Sequence, residues 1–355
     1  MGDQRSFKNK LFIEPEIVMA NENLPEYIQA LLHPAAYQHP ARDIGLVQTH
    51  ISYVILAGDY VYKFKKPVDF GFLDFTTLEK RQYCCQQELL LNRRLSPEIY
   101  LDLVTVTRSN GDFQLSGPGE VVEYGVKMIR MPEEKMMVNV IKAGLLGREH
   151  IDALVDVLVP FYRQAERSSG IDRFGKAEAV AVNVLENFDQ TREFVDCGAL
   201  SRHQFDTISR YARQFLKREE IFKQRIADGR IRDCHGDLYS ANICLADKVY
   251  IYDCIEFNQR FRYCDVASDI AFLAMDLDYH GLADLSAYLI ERFADASGDS
   301  SLQLVLDFYK CYRAYVRGKI GLFTANDPAV DEEVRRSSID GAANYFQLAQ
   351  KYAAG

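Results

Sequence analysis

The chain has 355 residues, of which 48% are hydrophobic and 26% charged. It is longer than the ~100–200 residues of a typical domain, so two lobes or domains are expected, and its composition is globular rather than disordered. Its 42 Lys and Arg against 51 Asp and Glu leave a net charge of −9, which argues against a broad basic face for nucleic-acid phosphates. Positive sites can still be local, and a bound metal could supply the charge an anionic substrate needs.

Residues 1–10 are charged and polar with no apolar core behind them, so no signal peptide is read. No apolar run approaches the ~18 residues of a membrane span, and no membrane partner is expected. Gly2 and Ser6 match the minimal myristoylation pattern, which is too short to carry an assignment. The eight cysteines form no C-x-x-C pair, so they suggest free thiols in a reducing, cytoplasmic compartment rather than a zinc site. Their even spacing at 234, 244, 254 and 264 is coincidental, because the flanking residues do not repeat.

A short helix is expected from Leu24 to Leu32, ended by His33-Pro34. Strands begin near Val47. Ser52–Ala57 and Tyr60–Lys65 flank Gly58-Asp59, a two-residue hairpin signal. Thr76-x-x-Glu79 reads as a capping box opening a helix that stops near Ser96-Pro97. Strands follow at Tyr100–Thr107 and Val121–Arg130, with Gly and Pro at 117–119 marking the turn. Beyond Met131-Pro132 helical periodicity dominates at 149–166, 202–227, 266–276, 283–296, 301–322 and 331–352. The chain therefore divides into an N-terminal extension over 1–40, a strand-rich lobe with one helix over 41–131, and a mostly helical lobe over 132–355. No internal repeat is present.

One polar stretch interrupts the helical lobe. Over 234–258, His235, Asp237, Asn242, Asp253 and Glu256 are separated by short apolar strands. Asp237 and Asn242 have the D-x-x-x-x-N spacing of a kinase catalytic loop. A strand pair at 243–245 and 249–252 returns the chain so that Asp253 can lie beside Asn242. Phosphoryl transfer needs such a set: a carboxylate to orient and deprotonate the attacking hydroxyl, and an amide oxygen with a second carboxylate to hold Mg²⁺.

The string His235-Gly236-Asp237-Leu238 … Asn242 followed by Tyr252-Asp253-Cys254-Ile255-Glu256-Phe257 resembles the aminoglycoside phosphotransferase and choline kinase family. Asp265-Val-Ala-Ser-Asp269 falls where that family carries an Asp-containing helix. Thr49–Ser52, Tyr62–Pro67 and Leu73-Asp74-Phe75 resemble an uncharacterised branch often fused to a P-loop kinase-like domain. No G-x-x-x-x-G-K-[ST] occurs in this chain, so the phosphotransferase half alone is expected. The resemblance spans about 45–320 and implies an α+β, bilobal protein-kinase-like fold. It implies ATP and Mg²⁺ as cofactors, Asp237 as catalytic base, Asn242 and Asp253 as metal ligands, and His235 as the brace of the catalytic loop. Glu256 is a candidate for the metal shell or the substrate, with a structural role as the alternative.

The strand-rich lobe must offer ATP a cation paired with a helix glutamate. Lys63 is the first choice and Lys65, on the same face by period-two alternation, its rival. Glu88, set among leucines, is the partner; Glu79 is explained by the cap. No G-x-G-x-x-G precedes Lys63, so phosphates would meet backbone N–H groups in the 49–52 turn and Ser52. Asp69-Phe70-Gly71 precedes the catalytic loop and is a decoy. The adenine hinge is expected within Met128–Glu134. Two features bear on the acceptor: Asp276 and Asp278 would favour an amine, while Arg313 and Arg317, one helical turn apart, would favour a carboxylate or phosphate. Pairing within the lobe and a solvated helix end are the plainer explanations.

The expected activity is ATP- and Mg²⁺-dependent O-phosphorylation of a small hydroxyl compound such as an amino sugar, amino alcohol or aminoglycoside-like molecule. The alternatives are a nucleotide-sensing scaffold without turnover, or transfer of phosphate or AMP to a protein.

Overall fold

The structure is a computed structural model that describes residues 24–328 and 330–354. The Gly2/Ser6 pattern and most of the expected 1–40 extension lie outside the described residues. The first helix, α1 (Glu26–Leu31), precedes the strands β1 (Gly45–Gln48), β2 (Ser52–Ala57) and β3 (Tyr60–Lys65). The β2–β3 hairpin turns at Gly58, whose φ of +62° suits glycine. Next come α2 (Leu78–Asn92), β4 (Tyr100–Ser109), β5 (Asp112–Leu115) and β6 (Glu120–Ile129). All six strands form one antiparallel sheet in the order β1-β2-β3-β6-β4-β5.

Alternation gives the sheet two different faces. Tyr62, Phe64 and Ile55 point outward, where Ile28 and Leu31 of α1 cover them. Lys63 lies opposite Val54 and Lys65 opposite Ser52, so all four side chains share the inner face, against which α2 packs through Cys85 and Leu89. Gly125 of β6 is required by close approach: a Cβ there would stand 2.5 Å from the Phe64 ring.

Two local expectations are corrected. The α2 cap is Thr77 rather than Thr76: Lys80 N–H donates to Thr77 Oγ1 at 3.3 Å, and the helix ends at Asn92, before Ser96-Pro97. The β4–β5 hairpin was not anticipated. Its turn, Asn110-Gly111, has φ of +53° and +93°, the two positive values that a type I′ turn demands.

The larger lobe holds α3 (Met137–Lys142), α4 (Arg148–Gln164), α5 (Ser169–Asp172), α6 (Ala177–Thr191), α7 (Arg202–Leu216) and α8 (Glu219–Ala227). The short strands β7 (Ile231–Asp233), β8 (Ile243–Leu245) and β9 (Val249–Ile251) follow. The chain then forms α9 (Gln259–Arg262), β10 (Tyr263–Asp265), α10 (Val266–Tyr279), α11 (Ala283–Ser297), α12 (Gln303–Asn326) and α13 (Glu332–Ala354). The expected helix 202–227 is two helices with a break at Lys217-Arg218. Helix α6 escaped the periodicity reading because Ala-Val-Ala-Val-Asn-Val alternates like a strand, and its Val182 is exposed.

Helix α10 is the axis of this lobe: every residue from Val266 to Leu277 is buried. The end of α2 fastens the lobes together. Arg94 donates to the carbonyls of Asp233 and Cys234, both at 3.0 Å, and Ser96 Oγ donates to Ile251 O at 2.7 Å. Among the described residues no helix is long and apolar enough to cross a membrane.

Candidate active site

The loop after β7 is shaped by two aspartates two helical turns apart on α10. Asp269 accepts the backbone N–H groups of His235 at 2.8 Å and Gly236 at 3.0 Å, and Asp276 accepts that of Ser240 at 2.9 Å. Residues i and i+7 share a helix face, so one face of a buried helix sets the course of the whole loop. Gly236 has φ of +89°, and a Cβ there would lie 2.9 Å from the Phe261 carbonyl; only glycine fits.

His235 is fully buried. Its Nε2 lies 2.9 Å from Tyr252 O and its Nδ1 accepts the Asp237 N–H at 3.2 Å, partners that assign the proton to Nε2. Burial lowers its pKa and keeps the ring neutral, as a brace requires. Asn242 Nδ2 donates to the Asp237 carbonyl at 2.9 Å and to its carboxylate at 3.0 Å. The amide nitrogen is thereby used, and its oxygen, the atom a cation needs, is turned away from Asp237. Burial pushes the Asp237 carboxyl up to about 6, against the opposing charges of Arg317 and Arg313.

Strands β8 and β9 pair antiparallel, and Tyr252 N–H donates to Asn242 O at 3.0 Å. Asp253, next in the chain, thus lies beside Asn242. It has φ of +60°, costly for a residue with a Cβ, and Tyr100 Oη accepts its N–H at 3.1 Å. Its side chain is 42% exposed.

Lys63 contacts Asp253 at 2.5 Å and Glu88 at 3.0 Å. Burial works to lower the Lys63 pKa, but Asp253 and Glu88 hold it well above its ordinary value. Lys65 meets Glu88 at 2.5 Å and also pairs with Glu256. The two lysines therefore share Glu88. Lys63 faces the Asp253 side, whereas Lys65 is 1% exposed within a closed ion-pair cluster. Glu256 is committed to Lys65, which favours its structural reading over a place in a metal shell.

The remaining expectations fare unevenly. The 49–51 turn lies between β1 and β2 as expected, but Thr49 Oγ1 accepts the N–H groups of Ile51 at 3.2 Å and Ser52 at 2.9 Å. Those amides are occupied, and Ser52 Oγ is buried without a hydrogen-bond partner among the described residues, so Ser52 is poorly placed for phosphate. Asp276 and Asp278 are not a solvated helix end. Asp276 is fully buried on the loop, and Asp278 pairs with Lys310 at 2.5 Å and accepts from Tyr352 Oη at 2.5 Å. Arg313 is internal as well, donating to Gly236 O at 2.9 Å with Asp269 at 3.7 Å. Arg317 does reach a cavity, of about 250 Å³, between the β1–β2 turn and the α12–α13 pair. The anchoring roles of Asp269 and Asp276 were missed; their seven-residue spacing was the available signal.

Among the described residues no three His, Cys, Asp or Glu side chains gather as a metal cage. Magnesium needs none, because it keeps several waters and takes one or two protein oxygens beside substrate phosphates. The Asn242 amide oxygen and the partly exposed Asp253 carboxylate are hard donors of that kind.

No family model matches the chain. It is 37% identical over 287 residues to the uncharacterized proteins Rv2004c of Mycobacterium tuberculosis and Mb2027c of Mycobacterium bovis, a match covering 79% of this chain and 56% of each relative. The chain thus spans about half the length of these curated relatives. Among solved structures, a choline/ethanolamine kinase family protein from Mesorhizobium loti superposes with a TM-score of 0.51 at 12% identity, covering 92% of this chain and 98% of the other. At that identity the likeness concerns the fold. The chain has the bilobal kinase-like fold of the small-molecule phosphotransferases, with an antiparallel-sheet lobe and a mostly helical remainder.

Proposed function

We propose that this chain is an ATP- and Mg²⁺-dependent O-phosphotransferase that moves the terminal phosphoryl group of ATP to a hydroxyl of a small molecule. The arrangement of Asp237 and Asn242 on the α10-anchored loop, with Asp253 returned by the β8–β9 pair, carries this reading. The fold shared with a choline/ethanolamine kinase family protein supports it, since choline and ethanolamine are small hydroxyl compounds. The eight unpaired thiols are in keeping with a reducing, cytoplasmic setting.

In this reading Asp237 accepts the proton of the acceptor hydroxyl as its oxygen attacks. A carboxyl raised to about 6 suits a general base near neutral pH. Asn242 fixes its rotamer through the 3.0 Å amide contact. Lys63, braced by Glu88, offers its ammonium to the nucleotide phosphates, and Asn242 and Asp253 offer oxygens to the cation. Mg²⁺, when bound, would neutralise charge on those phosphates. Lys65 and Glu256 keep β3 in register with the segment that carries Asp253.

Asp237→Ala should lower phosphoryl transfer by about 10²–10⁴-fold while leaving nucleotide affinity largely intact. Asn242→Ala and Asp253→Ala should instead weaken Mg²⁺-dependent nucleotide binding, read by ATP titration with and without the metal. Wild-type turnover in Asp237→Ala would remove the assignment. The occupied Ile51 and Ser52 amides favour, as a second reading, a nucleotide sensor without turnover; phosphate transfer above background that is lost in Asp237→Ala excludes it.

A further inference from the structure

The loop that joins β3 to α2, residues 66–77, carries the Asp69-Phe70-Gly71 triplet that the chemistry above does not use. The triplet forms a tight turn. Asp69 Oδ1 accepts the Gly71 N–H at 2.8 Å, Phe70 N–H donates to Leu73 O at 3.1 Å, and Gly71 takes φ of +77°. Phe75 N–H ties the returning arm to Val68 O at 2.9 Å. A turn closed in this way fixes the direction in which Phe72 leaves it, and that direction is toward the other lobe.

Phe72 meets Phe257 and Phe261, with ring centroids 6.1 Å away in both cases. Phe257 in turn lies 6.4 Å from Phe261 and 6.4 Å from the buried Phe75, both edge to face. These are separations and tilts that aromatic pairs prefer. A polar bond accompanies the rings: Asn258 Nδ2 donates to Phe72 O at 2.9 Å. Glu256, at the start of the same segment, pairs with Lys65 of β3. The strand-rich lobe thus grips residues 256–261 of the helical lobe through residues other than the end of α2.

The gripped segment bears directly on the catalytic loop. Ile255 N–H donates to His235 O at 3.1 Å, and Cys234 N–H donates to Arg262 O at 3.0 Å. Arg262 closes the segment on itself by donating to Ile255 O at 2.9 Å. The Phe261 carbonyl stands against Gly236, where an added Cβ would lie 2.9 Å from it. A shift of Phe257 and Phe261 is therefore a shift of His235 and Gly236, and Asp237 is the next residue. Close packing transmits such a displacement. Asp253 and Cys254 are held separately, their N–H groups donating to Tyr100 Oη at 3.1 Å and Asn92 Oδ1 at 2.8 Å, so the nucleotide side of the site should not follow.

We infer that Phe72, with Asn258 as its polar partner, is a positioning residue for phosphoryl transfer: acting through the 255–262 segment, it sets where the Asp237 carboxylate stands. This rests on the phosphotransferase reading above and adds to it that a loop of the strand-rich lobe places the base of the helical lobe.

The test uses Phe72→Ala, Phe72→Leu and Asn258→Asp in the full chain. Asn258→Asp loses the donor to Phe72 O and keeps the oxygen that accepts the Arg260 N–H at 3.1 Å. Transfer is read as ADP formation from ATP and Mg²⁺ with ethanolamine, glucose or water as acceptor. Loop order is read as hydrogen exchange of the amides in 234–240. Phe72→Ala should lower kcat by about tenfold or more, with the KM for ATP little changed, and should speed exchange at His235 and Gly236. Asn258→Asp should move both readouts the same way, and Phe72→Leu, which keeps apolar bulk, should recover most of the loss. Unchanged exchange at 234–240 in both Phe72→Ala and Asn258→Asp overturns the inference, as does a raised KM for ATP with kcat preserved. A lower melting temperature without either change marks the contact as structural only and overturns it too. If the wild type forms ADP with none of these acceptors while exchange at 234–240 depends on Phe72, the phosphotransferase reading falls and the grip on the loop stands.

Discussion

The two lysines of β3 illustrate how neighbours on one strand face acquire different tasks. Lys65 and Glu256 are 1% and 4% exposed, so Lys65→Met leaves a buried carboxylate without its partner and should cost about 3–5 kcal/mol of stability. Lys63→Met should cost less, because Glu88 keeps Lys65 and Asp253 is 42% exposed; its main effect should be on nucleotide affinity. Denaturant melts and ATP titrations of both variants separate the two roles, and equal losses in both measurements would contradict the division. A third lysine predicts a pH effect. Lys319 on α12, hydrogen-bonded to Gln190 at 2.8 Å, has its pKa lowered to about 8 by burial, against Glu186 and with Arg260 adding to the lowering. The folded state thus holds its proton less tightly than the unfolded chain does. Stability should therefore rise as pH climbs from about 8 toward the ordinary lysine value, where only the unfolded state keeps the proton. Lys319→Met should abolish that rise and stabilise the protein near neutral pH by about 1–2 kcal/mol, as measured by chemical denaturation across the range.

At the scale of elements, α10 is the part on which the site depends. A buried helix carrying Asp269 and Asp276 would be expensive if they were not satisfied; here backbone amides of the 235–240 loop donate to both. Asp269→Ala would leave the amides of His235 and Gly236 without an acceptor and Arg313 without its carboxylate, and should cost about 3–5 kcal/mol. Asp269→Asn keeps one acceptor oxygen and should recover part of that loss. If the two variants melt together, the amide contacts are not what holds the loop. The polar groups of the loop and their spacing were legible in the sequence because D-x-x-x-x-N is a local pattern. Its anchoring was not, because it joins residues more than thirty positions apart; Glu88 was read as the partner of one lysine, and its sharing by Lys63 and Lys65 follows only from the packing of α2 on the sheet.

Across the whole molecule, the two lobes meet through buried, directional bonds rather than a loose hinge. Asn92 Oδ1 accepts the Cys254 N–H at 2.8 Å, beside the Arg94 and Ser96 contacts to Asp233, Cys234 and Ile251. The end of α2 is therefore part of both lobes. Unfolding should be one cooperative transition despite the bilobal shape, with far-UV and near-UV signals coincident in denaturant. Two separated transitions would show that these bonds do not couple the lobes.

Local pattern determined much of this protein: the β2–β3 hairpin at Gly58, most of the helices of the larger lobe, and the order His235, Asp237, Asn242, Asp253. Each is encoded within a few residues, where periodicity and turn chemistry act directly. Helix α6 was hidden because valine alternation competes with the helical period. Tertiary structure alone decided that Ser52 is buried, that Glu256 pairs with Lys65 and that Asp276 serves the loop. It also decided that Arg317 lies over the rings of Tyr239 and Tyr345. A charged side chain takes its role from the groups packed around it when water is removed, and those groups come from elements far apart in the chain.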